Sequence, residues 1–286
     1  MKKYRFAASL ALAALLMSIV GGVRAGMPFG SRFVIENDVT VSEEESAIAY
    51  NSQRQEYLVV WQEGEIWGHR VSKYGTLIGS AFRISPTNEG SYPDVAYNSD
   101  ANEYLVVWQN TSDVRGQRVS AFGALQGGVI DIALGSLMTP AYYYDQPAVD
   151  YASVADCYLV TFRYRTDFDS SSGIWAQVLT SGGSLDGGQH QISTQSNTAL
   201  PEQPDVAYNR SRNELLIVWQ ETVLGDIDVY GRRFKLTGGA GNQGSEFPIG
   251  NMASDDDIAP AVAAIPTVPN EGQYLVVWES DTGSDY

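Results

Sequence analysis

The sequence predicts an all-β fold, a β-propeller of about five blades, each of four antiparallel strands, with the last blade incomplete or closed by the N-terminal strand. Three observations predict it. One apolar hexapeptide recurs: YLVVWQ at 57–62 and again at 104–109, YLVTFR at 158–163, LLIVWQ at 215–220 and YLVVWE at 274–279. Its aromatic anchors, Trp61, Trp108, Phe162, Trp219 and Trp278, stand 47, 54, 57 and 59 residues apart, near or somewhat above the ~40–50 residues of a propeller blade. Each copy also sits within the same series of four short strands, separated by turns rich in Gly, Asn, Asp and Ser. Beyond the first 25 residues, no stretch carries apolar residues at the 3.6-residue period of a helix. A two-sheet sandwich would not need one four-strand unit repeated five times.

The elements follow in chain order. Residues 1–25 read as a secretory signal peptide. Lys2, Lys3 and Arg5 precede an apolar run over 6–20, and Val23 and Ala25 place small residues before a cleavage site. The run is short for a membrane-spanning helix, which needs ~20 residues. Residues 26–286 then form a single propeller domain, with blades over 46–85, 92–133, 146–193, 203–250 and 259–286, the last joined by 31–36. The second repeat shows the four strands best. PDVAYN (93–98) alternates small and large residues, which suits a strand near the axis. EYLVVWQ (103–109) is apolar throughout its centre, as a strand buried on both faces must be. DVRGQRVS (113–120) is the third strand. The fourth, 128–133, is the least apolar, as an outer edge should be. Residues 31–36 (SRFVIE) match the fourth strands SAFRIS (80–85) and SEFPIG (245–250). They are therefore expected to complete the last blade, closing the ring and removing its open sheet edges. The fifth repeat has a first and a second strand, at 261–265 and 273–279, and no third.

Charge and cysteine content narrow the function classes. The chain has 18 Lys+Arg and 34 Asp+Glu. The first 25 residues hold four of the bases and no acid, so the rest carries 14 bases against 34 acids, a net −20. Such a surface repels phosphate backbones, which excludes nucleic acid as a partner class and disfavours anionic membranes. No second apolar run is long enough to span a bilayer. The one cysteine, Cys157, rules out an internal disulfide framework and reads as a small buried hydrophobe within a strand.

The loops joining second to third strands, and the connections between blades, share one face of a propeller. Here they are the longer and more varied set (86–92, 134–146, 165–173, 194–203, 221–226 and 251–259), so this is the expected binding face. Tyr142, Tyr143 and Tyr144 lie in one inter-blade connection, and Trp67, Trp175 and Tyr230 share one position of the third strand. These six rings are candidates for stacking on sugar faces, against the plainer reading that they pad blade contacts. Asp94 and Asp205 open equivalent first strands near the channel mouth. Two carboxylates ~5–9.5 Å apart are the acid and base of glycoside cleavage, but a residue recurring with the repeat also suits a structural role, accepting backbone N–H bonds. Asp167 and Asp169, and the run Asp255, Asp256 and Asp257, are candidate metal ligands. Neither matches a full calcium loop, and calcium is the one cofactor they leave open. GAGNQG (239–244) lies between strands and opens no helix, so it is a turn and not a nucleotide loop. His69 and His190 fall at unrelated repeat positions and form no metal pair. No G-x-S-x-G elbow is present.

The pattern P-D-V-A-Y-N, E-Y-L-V-V-W-Q, D-V-x-G-x-R and G-S-x-F-x-I, over nearly all of 31–286, resembles repeats of large secreted or surface proteins of bacteria that are thought to form propellers. The resemblance implies architecture and carries no catalytic residue. The third repeat departs most, with Phe162 for Trp and Ala176 for Gly. The S-x-D-x-G-x-T-W box of sialidase-type propellers is absent. The resulting expectation is a secreted, non-enzymatic binding or surface-interaction module whose ligand is a glycan or a protein. The alternatives are a five-bladed glycoside hydrolase or lyase using Asp94 and Asp205, and a structural extracellular component.

Overall fold

The computed structural model describes residue 35 and residues 44–136, 141–166, 171–194, 199–223, 225–236, 240–250, 255–265 and 272–281. The expected signal peptide lies outside them, as does the expected closing strand 31–36 apart from Ile35. The fold is an all-β propeller. Blade 1 comprises β1 (Glu44–Asn51), β2 (Glu56–Glu63), β3 (Glu65–Ser72) and β4 (Leu77–Arg83). Blade 2 comprises β5 (Ser91–Asn98), β6 (Glu103–Asn110), β7 (Asp113–Ser120) and β8 (Leu125–Ala133). Blade 3 comprises β9 (Tyr142–Ala152), β10 (Cys157–Thr166), β11 (Ser172–Thr180) and β12 (Leu185–Gln191). Blade 4 comprises β13 (Glu202–Asn209), β14 (Glu214–Val223), β15 (Asp226–Lys235) and β16 (Gly241–Gly250). Blade 5, among the described residues, comprises β17 (Asp256–Ala264) and β18 (Tyr274–Asp281). Each complete blade is a four-stranded antiparallel sheet in chain order. The first strands β1, β5, β9, β13 and β17 pack one against the next and line the axis.

Two boundaries differ from expectation. β9 starts at Tyr142, so Tyr142, Tyr143 and Tyr144 belong to a strand and not to a connection. β17 starts at Asp256, so Asp256 and Asp257 are strand residues as well. In both places an inner strand runs further toward the loop face than its apolar core alone indicates.

The second strands are apolar on both sides because each lies between two blades. Tyr104, Val106 and Trp108 of β6 pack on Leu58, Val60 and Ile84 of blade 1. Leu105 and Val107, the alternate residues, pack on Tyr158, Val160 and Phe162 of blade 3. Leu159 faces Leu215, Ile217 and Trp219 in the same way. In blades 2, 3 and 4 the aromatic anchor thus faces the preceding blade, and Trp108, Phe162 and Trp219 are 0 % exposed. Trp278 occupies the same position in blade 5 and is 37 % exposed. The glycine of the third strand makes room for this packing. A Cβ on Gly116 would lie 3.0 Å from Ile132 Cδ1, and one on Gly231 would lie 2.7 Å from Ile249 Cδ1.

The first turn of blades 1, 2 and 4 is fixed by asparagine (Asn51, Asn98 and Asn209), whose side-chain oxygen binds backbone N–H groups two or three residues on. Asn98 Oδ1 accepts from the N–H of Asp100 and of Ala101, both at 2.9 Å, and Asn209 Oδ1 does the same for Ser211 and Arg212.

Candidate functional site

Each first strand enters its blade through a bulge. The residue before the strand proline, Tyr92, Gln146, Gln203 or Ala259, has φ between 50° and 52°. Proline disfavours the right-handed helical region for its predecessor, and the left-handed conformation adopted here lifts one N–H out of the ladder. The preceding blade caps that N–H with a side-chain amide. Gln109 Oε1 accepts from Gln146 N (3.4 Å), Gln146 Oε1 from Gln203 N (2.8 Å), and Gln220 Oε1 from Ala259 N (2.8 Å). Blade 3 carries Arg163 where its neighbours carry this glutamine, and Gln146 supplies the cap instead.

Carboxylates make a second set of bonds between blades, along the axis. Asp94 Oδ2 accepts from Val149 N at 2.7 Å, and Asp205 Oδ2 from Val262 N at 2.8 Å. These are the two aspartates that the sequence singles out. A third, Asp150, completes the series: its Oδ2 accepts from Tyr208 N at 2.7 Å and its Oδ1 from Tyr151 N at 2.7 Å. Asp150 stands two positions further along its strand than Asp94 and Asp205 do, where the other complete blades have Ala49, Ala96 and Ala207. All three aspartates are half-buried at the axis. Burial pushes Asp150 up to about 6, Asp205 adds to the shift by its like charge, and the two accepted N–H groups oppose it. An acid raised toward neutrality beside a second carboxylate can donate a proton while its partner acts as base or nucleophile.

The rim of blade 3 holds an aromatic platform. Tyr142 and Tyr144 share one face of β9, and β10 sets Tyr164 directly opposite Tyr144. Ring centroids lie 6.0 Å apart for Tyr142–Tyr144, 5.6 Å for Tyr144–Tyr164 and 6.1 Å for Tyr164–Trp175. Tyr144 also meets Phe162 edge-on at 5.3 Å, and its hydroxyl donates to Gln189 Oε1 at 3.2 Å. All four platform rings are half-buried. Tyr143 points to the other face, where the Arg165 guanidinium stacks 4.4 Å from its ring centre. Beneath them Asp145, 2 % exposed, is clamped by Arg163 through two bonds (2.7 and 2.9 Å) and by Arg165 at 2.6 Å. The other two candidate rings lie elsewhere. Trp67 pairs across strands with Trp61 in blade 1, and Tyr230 stacks on Trp219 in blade 4 at 6.4 Å. The structure therefore unites Tyr142, Tyr144 and Trp175, adds Tyr164, and separates Trp67 and Tyr230.

Of the metal candidates, Asp167 and Asp169 lie outside the described residues. Asp256 Oδ1 accepts from Ile227 N at 3.1 Å, and Asp257 is 0 % exposed. Among the described residues no three His, Cys, Asp or Glu side chains are grouped to hold a metal ion. Cys157 is buried, and burial pushes its thiol up to about 11, far from a reactive thiolate.

No protein-family model and no curated protein matches the chain. Solved structures do. An endo-arabinase from Bacteroides thetaiotaomicron VPI-5482 is 12 % identical with a TM-score of 0.51, over 87 % of this chain and 98 % of that one. The catalytic domain of a Coprinopsis cinerea GH62 α-L-arabinofuranosidase is 10 % identical with a TM-score of 0.49, over 88 % and 89 %. A chain of a nidogen/laminin complex is 15 % identical with a TM-score of 0.46, over 78 % and 69 %. At 12 % identity the likeness to the endo-arabinase establishes the fold. It also corrects the expectation of a non-enzymatic module. That expectation rested on the lack of a recognisable catalytic motif, and an endo-arabinase shares this architecture at 12 % identity.

Proposed function

We propose that the protein is a secreted glycoside hydrolase that cuts a polysaccharide in the propeller channel. The observation that carries the reading is Asp150, pushed up to about 6 by burial and lying beside Asp205 at the axis. Asp150 donates its proton to the glycosidic oxygen as the C–O bond breaks. Asp205 either takes a proton from the attacking water or attacks the anomeric carbon itself. The separation of the carboxyl groups decides which, ~5–5.5 Å favouring the covalent route and ~6.5–9.5 Å the direct one. The basic, apolar, small-residue order of residues 1–25 supports export, and the repeat pattern supports kinship with the bacterial surface propellers it resembles.

The name of the fold neighbour, an endo-arabinase, suggests the first substrate to test, an arabinose polymer. The purified mature chain is assayed for reducing ends on this and on other plant and microbial glycans, with Asp150→Asn and Asp205→Asn alongside. Each Asn keeps one oxygen to accept the neighbouring blade's N–H and gives up the second bond, to Tyr151 N or to Val206 N, so each variant's fold is checked by circular dichroism and its melt. Both variants are expected to lose at least ~100-fold in kcat. Full activity in either variant overturns the assignment of that residue, and absence of cleavage across the panel overturns the reading.

A further inference from the structure

Among the described residues, Asp257 is the one carboxylate whose two oxygens are both buried and both without a hydrogen-bond partner. It sits at the junction of blades 4 and 5. A Cβ on Gly250 would collide with Asp257 Oδ2 and come within 3.3 Å of Trp278 Cε2. Glycine at 250 is thus what admits the carboxylate. The equivalent positions in blades 1 and 3 carry Ser85 and Ser193, each binding a third-strand N–H at 2.8 Å. Asp228, half-buried on β15, lies close enough to Asp257 for the two charges to oppose one another, with Asp226 and Asp256 adding to the crowding. No Lys or Arg among the described residues forms an ion pair with any of these four. Two acids that oppose one another, one of them wholly buried and unsatisfied, call for a cation.

We propose that Asp257 and Asp228 hold a divalent cation between blades 4 and 5, with backbone carbonyls and water completing the shell. The donors are hard oxygens and no His or Cys side chain joins them, which selects calcium over the transition metals; its flexible coordination also suits a site with two carboxylates. Asp256 is already committed to Ile227 N and acts as a strut that holds β15 to β17. The ion fastens blade 5 where its apolar contact with blade 4 is thinnest: buried Val262, with half-buried Tyr274 and Val276, meets Ala207, Leu216 and Val218.

The test uses the full chain, stripped with EDTA and titrated with terbium, whose emission is excited through a nearby indole, and with calcium. Terbium emission sensitised by Trp278 at one ion per chain, displaced by calcium, is the expected result. Calcium at about a hundredfold excess over its Kd is expected to raise Tm by about 5 °C. Asp257→Asn and Asp228→Asn abolish both effects, and Trp278→Phe removes the emission while keeping the calcium-induced Tm rise. If Asp257→Asn does not fold, Asp228→Asn carries the test. The proposal is overturned if neither ion binds stoichiometrically, or if the Tm rise persists in Asp228→Asn. It is equally overturned if Asp257→Asn raises Tm in EDTA to the calcium-loaded value, since Asp257 then serves as a neutral buried acid. None of these readouts depends on catalysis.

Discussion

In the proposed reaction Asp150 serves both the ring and the chemistry. It bridges blades 3 and 4 through Tyr208 N, and it is the carboxylate that burial pushes up to about 6 from an ordinary 3.8. Folding therefore makes it a weaker acid. Its contribution to stability is fully present below pH 3.8 and is lost as pH rises through 6. Relative to Asp150→Asn, the wild-type chain is expected to gain about 1–3 kcal/mol of stability between pH 7 and pH 4, read from paired denaturant melts. A difference that stays flat with pH would show that the group titrates normally. The same acid predicts that kcat falls above pH 6. Asp150 is also the residue that the repeat pattern hides. Asp94 and Asp205 stand out because they recur after a proline. Asp150 stands where the four other blades have alanine, in the repeat that departs most. Tyr164, Arg165 and Asp145 come from that same repeat. The signal available in the sequence was departure from the consensus. Recurrence marks what each blade needs in order to pack, and a site used once has no reason to recur.

At the scale of the strand, the repeated hexapeptide reports on packing between blades. Its alternate residues face opposite neighbours, which is why the whole run is apolar and why its position in the fold was readable without coordinates. Trp108→Ala is expected to cost about 3–5 kcal/mol, because the cavity opens between two rigid sheets. Trp278→Ala should cost less than about half of that, since more than a third of the ring already meets solvent. Chemical denaturation of the two variants side by side tests the contrast, and equal losses would mean that blade 5 is packed as tightly as blade 2. The strand starts were less legible. Tyr142 to Tyr144 and Asp256–Asp257 carry no apolar alternation, and they extend their strands only because the neighbouring strand continues alongside them. A pattern read from one strand alone does not contain that partner.

Across the molecule, the rim and the channel are set apart by the length of an inner strand. Tyr144 and Asp150 lie on the same strand six residues apart, roughly 20 Å of extended backbone. A ring stacked on the platform is therefore several sugar units from the bond being cut, which fits a polymer and gives nothing to a small glycoside. Tyr142→Ala with Tyr144→Ala is expected to raise KM for a polysaccharide by about tenfold or more, given ~1.4 kcal/mol per decade of affinity. Hydrolysis of an aryl glycoside should be unchanged. Equal effects on both substrates would place the platform at the cleavage point.

Of the bonds between blades, those that reach the N–H groups of the first strands run one way: the acceptor, a glutamine amide or an aspartate, belongs to the earlier blade, and the N–H belongs to the later one. A tandem duplication of one blade copies both halves together: the new copy presents its N–H backward and its acceptor forward, and it meets a matching partner on each side. Rings of different sizes can thus arise by gene duplication without compensating changes at the junctions.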